Sequence, residues 1–288
     1  MLTLISPAKI NLFLQLLYKR ADGYHELASL FQTISLHDTL TFQLSDLDNL
    51  TCNDPSIPQD DSNLILKAVN LFRAKTNLKF HIEIDLIKRI PNKAGLGGGS
   101  SNAATTLFAL NELFNQPLSP QDLIALGSAI GSDVAFFFSS GTAYCTGRGE
   151  IIEELAPLPE THLTIVKSDA GLSTPLVFQN LTLSDFSRKD PRTTLNSFLA
   201  NSPDYYNDLE HASFRLLPAL KIQKNNLISM GFDTVLMSGS GSAFFCTGHS
   251  NHLVNQRFTF NSEASFLNRN KKNWYENKKV LQLNSAFM

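Results

Sequence analysis

The chain has 288 residues, of which 43% are hydrophobic, and a formal net charge of −2. This length suffices for two ordinary domains, and the apolar fraction excludes an intrinsically disordered chain. The near-neutral charge argues against a dedicated nucleic-acid-binding protein, which usually carries a basic excess. The three cysteines, Cys52, Cys145 and Cys246, form no closely spaced pair. The sequence therefore suggests neither a zinc ribbon nor a disulfide framework.

The apolar N-terminus does not have the organisation of a secretion signal. It lacks a basic region, Lys9 and Asn11 interrupt the apolar run of residues 1–17, and no small-residue cleavage site follows. No stretch of sequence reaches the roughly 18 apolar residues that a membrane span requires. We therefore expect a cytoplasmic protein without a membrane partner.

The first half of the chain predicts strands interrupted by helices. Apolar runs and alternating patterns predict strands at residues 10–17, 27–36, 39–44 and 80–86. Residues 60–62 offer N-caps for a helix, and a helical stripe from Ala103 to Phe114 follows a glycine-rich loop. Ser119 and Pro120 predict the start of a further helix, which we expect to end near Gly127.

The second half is less regular. We predict strands at residues 143–146 and 163–167, a loop-rich stretch at 181–207, a helix at 210–217 stopped by Pro218, and a hairpin of residues 234–237 and 243–246. This order of elements indicates an α+β fold. Two prolines within residues 155–159 mark the expected domain boundary, which gives domains at 1–155 and 156–288.

The glycine-rich run at residues 95–101 is the most informative local feature. It lies between a predicted strand and a predicted helix, where backbone N–H groups and the helix dipole favour an anion. We prefer a phosphate-binding loop over a flexible turn, because three consecutive glycines cost backbone entropy. A Walker A loop is excluded because Gly99 is followed by Ser100 rather than lysine, and neither register of the dinucleotide fingerprint finds its last glycine.

Four further features each have two interpretations. Lys9 lies within an apolar strand and either pairs with an anion or extends its amine to the strand end. Residues 20–26 form a displayed turn with Tyr24 and His25, or an ordinary hairpin. Asp133 is a general base or a helix N-cap, and the two roles are compatible. The turn of residues 238–242 lines a nucleotide site or simply closes a hairpin.

Three of these segments together resemble the signatures of the GHMP kinase superfamily. They are PAKIN at residues 7–11, PNKAGLGGGSSNAA at 91–104 and MSGSGSAF at 237–244. The run RADGYHE at 20–26 is similar to the branch that phosphorylates the 2-hydroxyl of a cytidine diphosphate-linked methylerythritol in the non-mevalonate isoprenoid pathway. The resemblance implies a two-domain fold, with an N-terminal domain like ribosomal protein S5 and a C-terminal ferredoxin-like α/β sandwich.

The resemblance also implies a role for individual residues. Asp133 accepts the proton of the attacking hydroxyl, and Lys9 keeps that carboxylate ionised and favours the developing alkoxide. Tyr24 and Phe178 enclose the cytosine. The complete substrate set is Asn11, Tyr24, His25, Thr174 and Phe178. The ATP-binding set is Asn63, Lys88, Pro91, Gly95, Leu96, Gly97, Gly98, Gly99, Ser100 and Ser101.

ATP and Mg²⁺ are the implied cofactors, without identified metal ligands, and the expected partner is a small molecule rather than nucleic acid. A monomer or a weak homodimer is expected. Two alternatives remain: a GHMP-type kinase for mevalonate, a sugar or homoserine, and a non-catalytic nucleotide- or RNA-binding module. One departure from the family pattern is Ala135, where proline is frequent.

Overall fold

The computed structural model describes residues 1–167, 169, 171–248, 259–270 and 273–275. The first part of the chain contains β1 (Leu2–Lys19), β2 (His25–Ser45), β3 (Asn49–Cys52), α1 (Leu64–Thr76), β4 (His81–Ile87), α2 (Gly98–Leu113), α3 (Pro120–Ile130), β5 (Thr142–Gly147) and β6 (Ile151–Glu154). The second part contains β7 (His162–Lys167), α4 (Thr174–Gln179), α5 (Pro191–Leu199), β8 (Tyr206–Asn207), α6 (Leu209–Leu216), α7 (Pro218–Ser229), β9 (Thr234–Met237), β10 (Phe244–Thr247) and β11 (Phe260–Ser265). Short 3₁₀ helices lie at Ala135–Phe138 and Leu183–Asp185.

Two sheets organise these elements. The larger sheet has the order β3-β4-β2-β1-β8, and β5 joins it by pairing with both β2 and β6. The smaller sheet has the order β11-β7-β10-β9, with every pair antiparallel. Helices α1, α2 and α3 pack on the larger sheet through the first core cluster, and α6 and α7 pack on the smaller one. The α+β fold with two sheet-and-helix layers is therefore confirmed.

The two long strands are the frame of the molecule. The predicted strands at 27–36 and 39–44 are one continuous strand, β2, which pairs with β1 along its length. Register shifts at Pro7/Ala8, Asn11/Phe13 and Leu16/Tyr18 bend this ribbon. Such bulges re-aim side chains next to functional sites. The predicted break between residues 36 and 39 was wrong, because β2 bends with its partner β1 and continues through these residues.

Several helix boundaries also differ from the predictions. Helix α1 is capped by Asn63, whose side chain accepts from the Ile65 N–H, rather than by residues 60–62. Helix α3 has the predicted Ser119 cap but continues to Ile130. Gly127 lies within the helix, where its lack of a Cβ allows Val134 and Phe138 to approach closely. The predicted loop at 181–207 contains α5, which Asp190 caps through the Thr193 N–H.

Proline has a different role in α7 from the one predicted. Pro218 occupies the first turn of α7, so it begins a helix directly after α6 has ended. A proline is tolerated at this position because the N–H that it lacks has no acceptor within the helix. The predicted hairpin is confirmed as the antiparallel pair of β9 and β10.

Hydrophobic packing crosses the predicted domain boundary. One core cluster combines Ile10 and Phe13 of β1 with Ile165 of β7 and Phe245 of β10. Strand β8 adds a parallel pairing to β1 at Phe13. The domain division between residues 155 and 156 stays a prediction. The shared core packs β1 against the smaller sheet. Among the helices in the described part of the chain, none combines the length and apolar character that a membrane crossing needs.

Candidate active site

A cavity of about 690 Å³ lies where the glycine-rich loop, β1, the turn after β9 and the start of α4 meet. This volume is in the range of small-molecule sites. Among the residues that the structure describes, one carboxylate, Asp133, lines the cavity together with five cations: Lys9, Lys19, Lys88, Lys93 and Arg148. A chain of net charge −2 thus concentrates positive charge in one cavity, which suits a polyphosphate ligand.

Lys9 and Asp133 meet at the centre of this cavity. The Lys9 Nζ is 3.3 Å from the Asp133 Oδ2, and only 4% of the lysine side chain is exposed, against 32% for the aspartate. The same amine donates to the Asn11 Oδ1 at 2.8 Å and lies 4.5 Å from the centre of the Phe31 ring. Of the two interpretations of Lys9, pairing with an anion is therefore the correct one.

The Asn11 side chain is held by a chain of hydrogen bonds through Ser29. Its Nδ2 donates to the Ser29 Oγ at 2.9 Å, and that hydroxyl donates to the Phe13 carbonyl at 2.5 Å. Both β1 and β2 contribute to this chain of hydrogen bonds. Because the Asn11 Nδ2 donates to Ser29, the amide oxygen on the opposite side of the group is directed at the Lys9 amine.

Asp133 does not cap a helix. The 3₁₀ helix that follows begins after Val134 and has no side-chain cap within the described residues. Phe136 packs edge-on against Phe31 at 5.1 Å, which anchors the segment after Asp133 beneath the Lys9 amine. The N-cap interpretation of Asp133 was wrong, and its partly exposed carboxylate faces the cavity.

The glycine-rich loop passes directly over β1. The Lys9 N–H donates to the Leu96 carbonyl at 2.9 Å. Gly97 has φ 68° and is the N-cap of α2, and a Cβ at this residue would lie 2.9 Å from the Lys9 Cγ. Helix α2 begins at Gly98, inside the loop and earlier than the predicted stripe. Its first N–H groups have no intrahelical acceptors, so the loop can present them to an anion.

The turn of residues 238–242 supports the loop rather than closing an isolated hairpin. The Ser238 Oγ donates to the Gly95 carbonyl at 2.9 Å, and the Ala243 N–H donates to the Ala94 carbonyl at 3.1 Å. A Cβ at Gly95 would lie 2.0 Å from the Ser238 carbonyl oxygen. Gly239 and Ser240 also line the cavity. The turn therefore belongs to the site.

Lys88 lines the cavity but is engaged by a buried carboxylate. Its Nζ donates to the Asp38 Oδ2 at 2.8 Å and to the Ile90 carbonyl. Asp38 also accepts from the backbone N–H groups of Arg89 and Ile90 and from the Asn102 Nδ2. This network joins β2, the segment before the glycine-rich loop, and α2.

Two predicted ATP-binding residues do not line the cavity. Ser101 is buried in the first turn of α2, where its Oγ accepts from the Ser6 Oγ at 2.8 Å. Asn63 caps α1 and donates to the Pro58 carbonyl at 2.6 Å. The remaining members of the predicted set do line the cavity: Lys88, Pro91, Gly95, Leu96, Gly97, Gly98, Gly99 and Ser100.

Asn11 lies beside Lys9, whereas the other predicted substrate residues lie together at one end of the cavity, here called the aromatic end. His25 packs its ring on Phe178, with 5.5 Å between ring centres. Tyr24 is 56% exposed, and the Arg148 guanidinium lies 4.8 Å from the centre of its ring. The Thr174 Oγ1 is 2.8 Å from the Ser240 Oγ. Asn11, Tyr24, His25, Thr174 and Phe178 all line the cavity.

The ionisation of His25 has a physical cause. Burial, and to a lesser extent the charge of Lys19, lower the pKa of His25 below its ordinary value of 6.5. Burial disfavours the charged imidazolium because it removes water from the ring. The imidazole is therefore neutral at pH 7 and offers one ring nitrogen as a hydrogen-bond acceptor.

The sequence interpretation missed Asp38 and Arg148. Asp38 lies within a long strand, where nothing in the local pattern distinguishes a buried carboxylate from a surface one. Arg148 belongs to the glycine turn at 147–149, which predicted only the end of a strand. Its proximity to Tyr24 depends on the pairing of β5 with β2.

The described residues contain no cluster of three or more histidine, cysteine, aspartate or glutamate side chains arranged to hold a metal ion. In nucleotide sites, Mg²⁺ usually takes its ligands from substrate phosphates together with one or two protein oxygens.

Comparison with known proteins places the chain in a family. The GHMP kinases N terminal domain family matches residues 63–141. A 4-diphosphocytidyl-2-C-methyl-D-erythritol kinase of Protochlamydia amoebophila is 54% identical over 273 residues, which cover 94% of this chain and 92% of that protein. This chain belongs to the 4-diphosphocytidyl-2-C-methyl-D-erythritol kinase family.

Other members and the fold agree with this assignment. The chloroplastic 4-diphosphocytidyl-2-C-methyl-D-erythritol kinase of Arabidopsis thaliana is 43% identical over 96% of this chain and 76% of that protein. A crystal structure of a 4-(cytidine 5'-diphospho)-2C-methyl-D-erythritol kinase has a TM-score of 0.77 at 34% identity, covering 91% of this chain and 98% of that one. A homoserine kinase of Cytophaga hutchinsonii shares the fold, with a TM-score of 0.68 at 17% identity, and covers 94% of this chain and 96% of that one.

Proposed function

We propose that the chain transfers the γ-phosphoryl group of ATP to the 2-hydroxyl of 4-diphosphocytidyl-2-C-methyl-D-erythritol. The observation that carries the proposal is the Lys9–Asp133 pair, which lies between the glycine-rich loop and the aromatic end of one cavity. A kinase for this substrate needs a phosphate site, a base and a nucleobase site within reach of one another.

The nucleotide occupies the end formed by the glycine-rich loop. The N–H groups at the start of α2 and the positive end of its dipole hold the β- and γ-phosphates. Lys93 and Lys9, which also line the cavity, add positive charge. Lys88 orients the segment before the loop through Asp38, and Ser100 offers a hydroxyl where α2 begins.

Chemistry takes place at the Lys9–Asp133 pair. The substrate hydroxyl oxygen forms a bond to the γ-phosphorus, and the bond from that phosphorus to the bridging oxygen of ADP breaks. Asp133 accepts the proton of the hydroxyl, and the Lys9 ammonium stabilises the negative charge that develops on the attacking oxygen. Asn11 holds the Lys9 amine in place during the transfer. Ser100 and Asp133, which line the cavity, are the residues of this chain that would hold a magnesium ion, and that ion would supply charge neutralisation on the phosphates of the nucleotide.

The cytidine end of the substrate occupies the aromatic end. The neutral His25 imidazole accepts a hydrogen bond from the exocyclic amine of cytosine. Tyr24 and Phe178, which both line this end of the cavity, enclose the base, and one face of Tyr24 is covered by Arg148. Thr174 adds a hydroxyl beside Ser240.

The test is ADP release with a panel of alcohols: 4-diphosphocytidyl-2-C-methyl-D-erythritol, mevalonate, homoserine and galactose. The proposal expects turnover with the cytidylylated substrate that exceeds every other rate by orders of magnitude. Preferred turnover of homoserine or mevalonate would contradict it, and so would the absence of ADP release with all four.

We also propose that the protein works in the cytoplasm as a monomer or weak homodimer, without a nucleic-acid partner. The net charge of −2 supports the absence of a nucleic-acid partner, because nucleic-acid-binding proteins usually carry a basic excess. Light scattering across a concentration series, with and without added RNA, tests the oligomeric state and the absence of an RNA complex. A stable tetramer, or an RNA complex that survives 0.2 M salt, would contradict it.

A further inference from the structure

The segment around Tyr24 carries three charged residues to which the catalytic scheme gives no role. Arg20 and Asp22 lie in the turn between β1 and β2, and Glu26 is the second residue of β2. Tyr24 itself is half exposed, and its turn lies at the end of a long two-stranded ribbon. An exposed aromatic side chain on such a turn would ordinarily adopt many orientations, so something must hold it for base stacking.

Glu26 joins the two turns that form the aromatic end of the cavity. Its Oε2 accepts from the Arg20 Nη1 at 2.7 Å, and its Oε1 accepts from the Gly147 N–H at 2.9 Å. The carboxylate side chain is only 16% exposed. One carboxylate thus clamps the turn of residues 20–24 to the turn of residues 147–150.

Each of the clamped turns is also held internally. In the first, the Arg20 N–H donates to the Tyr24 carbonyl at 2.8 Å, and the Asp22 Oδ1 accepts from the Tyr24 N–H at 3.1 Å. In the second, the Arg148 N–H donates to the Glu150 Oε2 at 2.6 Å. The Arg148 guanidinium then covers one face of the Tyr24 ring.

We propose that Glu26 is a positioning residue for nucleobase recognition. By holding the two turns together, it keeps one face of Tyr24 against Arg148 and leaves the opposite face to the cytosine. This inference rests on the proposed function, because it assigns the base site of the same reaction. Glu26 does not line the cavity, and its carboxylate accepts from Arg20 and Gly147, so we expect its effect to be confined to the cytidine end.

The test is steady-state kinetics of Glu26→Gln with each substrate varied separately. The amide retains an acceptor for the Gly147 N–H but loses the charge-assisted bond to Arg20, which is the stronger kind of hydrogen bond. We expect the KM for the cytidylylated substrate to rise on the order of tenfold, with the KM for ATP and kcat unchanged within about twofold.

Glu153→Gln is the matched control, because Glu153 of β6 forms an ion pair with Arg192 at 2.6 Å, against 2.7 Å for Glu26 and Arg20, and does not line the cavity. It should leave both KM values unchanged. Arg20→Gln, made in parallel, removes the Glu26 ion pair from its more exposed side and should reproduce the KM shift even if Glu26→Gln does not fold.

Each result is decisive. A raised KM for the cytidylylated substrate alone, in either variant that folds, supports the inference. The inference is overturned if both KM values are unchanged. It is also overturned if kcat falls and the KM values for both substrates rise together. A wild-type protein that does not turn over the cytidylylated substrate contradicts the proposed function instead, so the two failures are distinguishable.

Discussion

Asp133 is the residue on which the proposed chemistry depends. Asp133→Asn keeps the shape of the side chain but removes the proton acceptor and the partner of the Lys9 amine. We expect kcat to fall by on the order of 10² to 10⁴, as for other general bases, with ATP still bound. Single-turnover kinetics and ATP binding by calorimetry measure the two effects.

Asp204→Asn is the control for this variant, because Asp204 forms an exposed surface pair with Lys189. It should have wild-type kcat. Turnover of Asp133→Asn within tenfold of the wild type would show that another group accepts the proton.

The protonation of His25 predicts a pH dependence of substrate binding. Burial lowers the pKa of His25 below 6.5, so the ring stays neutral as pH falls from 8 through neutrality and becomes charged only at lower pH. We expect the KM for the cytidylylated substrate to be flat above pH 7 and to rise below 6.5, where the imidazolium can no longer accept a hydrogen bond. The same depression means that the folded state loses stability as pH falls through this window, because the unfolded chain binds the proton more readily.

His25→Gln should remove the pH dependence of this KM, whereas His81→Gln, on the exposed side of β4, should retain it. A KM that rises equally at low pH in the His25 variant would assign the effect to another group.

At the scale of elements, the glycine-rich loop depends on its contact with the turn after β9. Gly95 has φ +75°, and a Cβ there would lie 2.0 Å from the Ser238 carbonyl oxygen. Gly95→Ala should therefore destabilise the fold by about 2 kcal/mol or more, because the left-handed backbone and the backbone contact are both penalised. We expect a loss of about 4 °C or more in Tm by differential scanning fluorimetry.

Gly99→Ala is the comparison within the same loop. Its Cβ would find the Leu64 Cδ1 at 3.6 Å, an ordinary contact, within the first turn of α2. The Tm of this variant should equal or exceed that of the wild type, because alanine is the better helix former. Equal losses of Tm in the two variants would mean that the Ser238 contact does not hold the loop.

The elements that sequence periodicity predicted well are those with a strong local pattern. Strand β4 alternates buried and exposed residues along its whole length, as its sequence indicated. Ser119 and Pro120 predicted the start of α3, and the structure shows a complete capping box there. Strand β2 was divided incorrectly, because its continuity depends on pairing with both β1 and β4 rather than on its own sequence.

At the scale of the whole molecule, sequence motifs identified the residues of the site but not the long-range hydrogen bonds that hold them in position. Lys9, Asp133 and the glycine-rich loop were chosen from their sequence patterns, and the structure brings them together. The contact of Ser238 with the loop could not be predicted, because it joins residues 143 positions apart. The same holds for the clamp of Glu26 on Gly147, which requires β2 and β5 to be neighbours.

In the proposed mechanism, one cavity binds the cytidine at one end and transfers a phosphoryl group at the other. The most direct measurement compares kcat/KM for 4-diphosphocytidyl-2-C-methyl-D-erythritol with that for 2-C-methyl-D-erythritol 4-phosphate, which keeps the reacting hydroxyl but lacks the cytidylyl group.

Base stacking contributes about 1–3 kcal/mol, and a hydrogen bond to His25 adds to it, so we expect the ratio to exceed roughly a hundredfold. Equal kcat/KM values for the two substrates would contradict the account, because the aromatic end of the cavity would then have no part in the reaction.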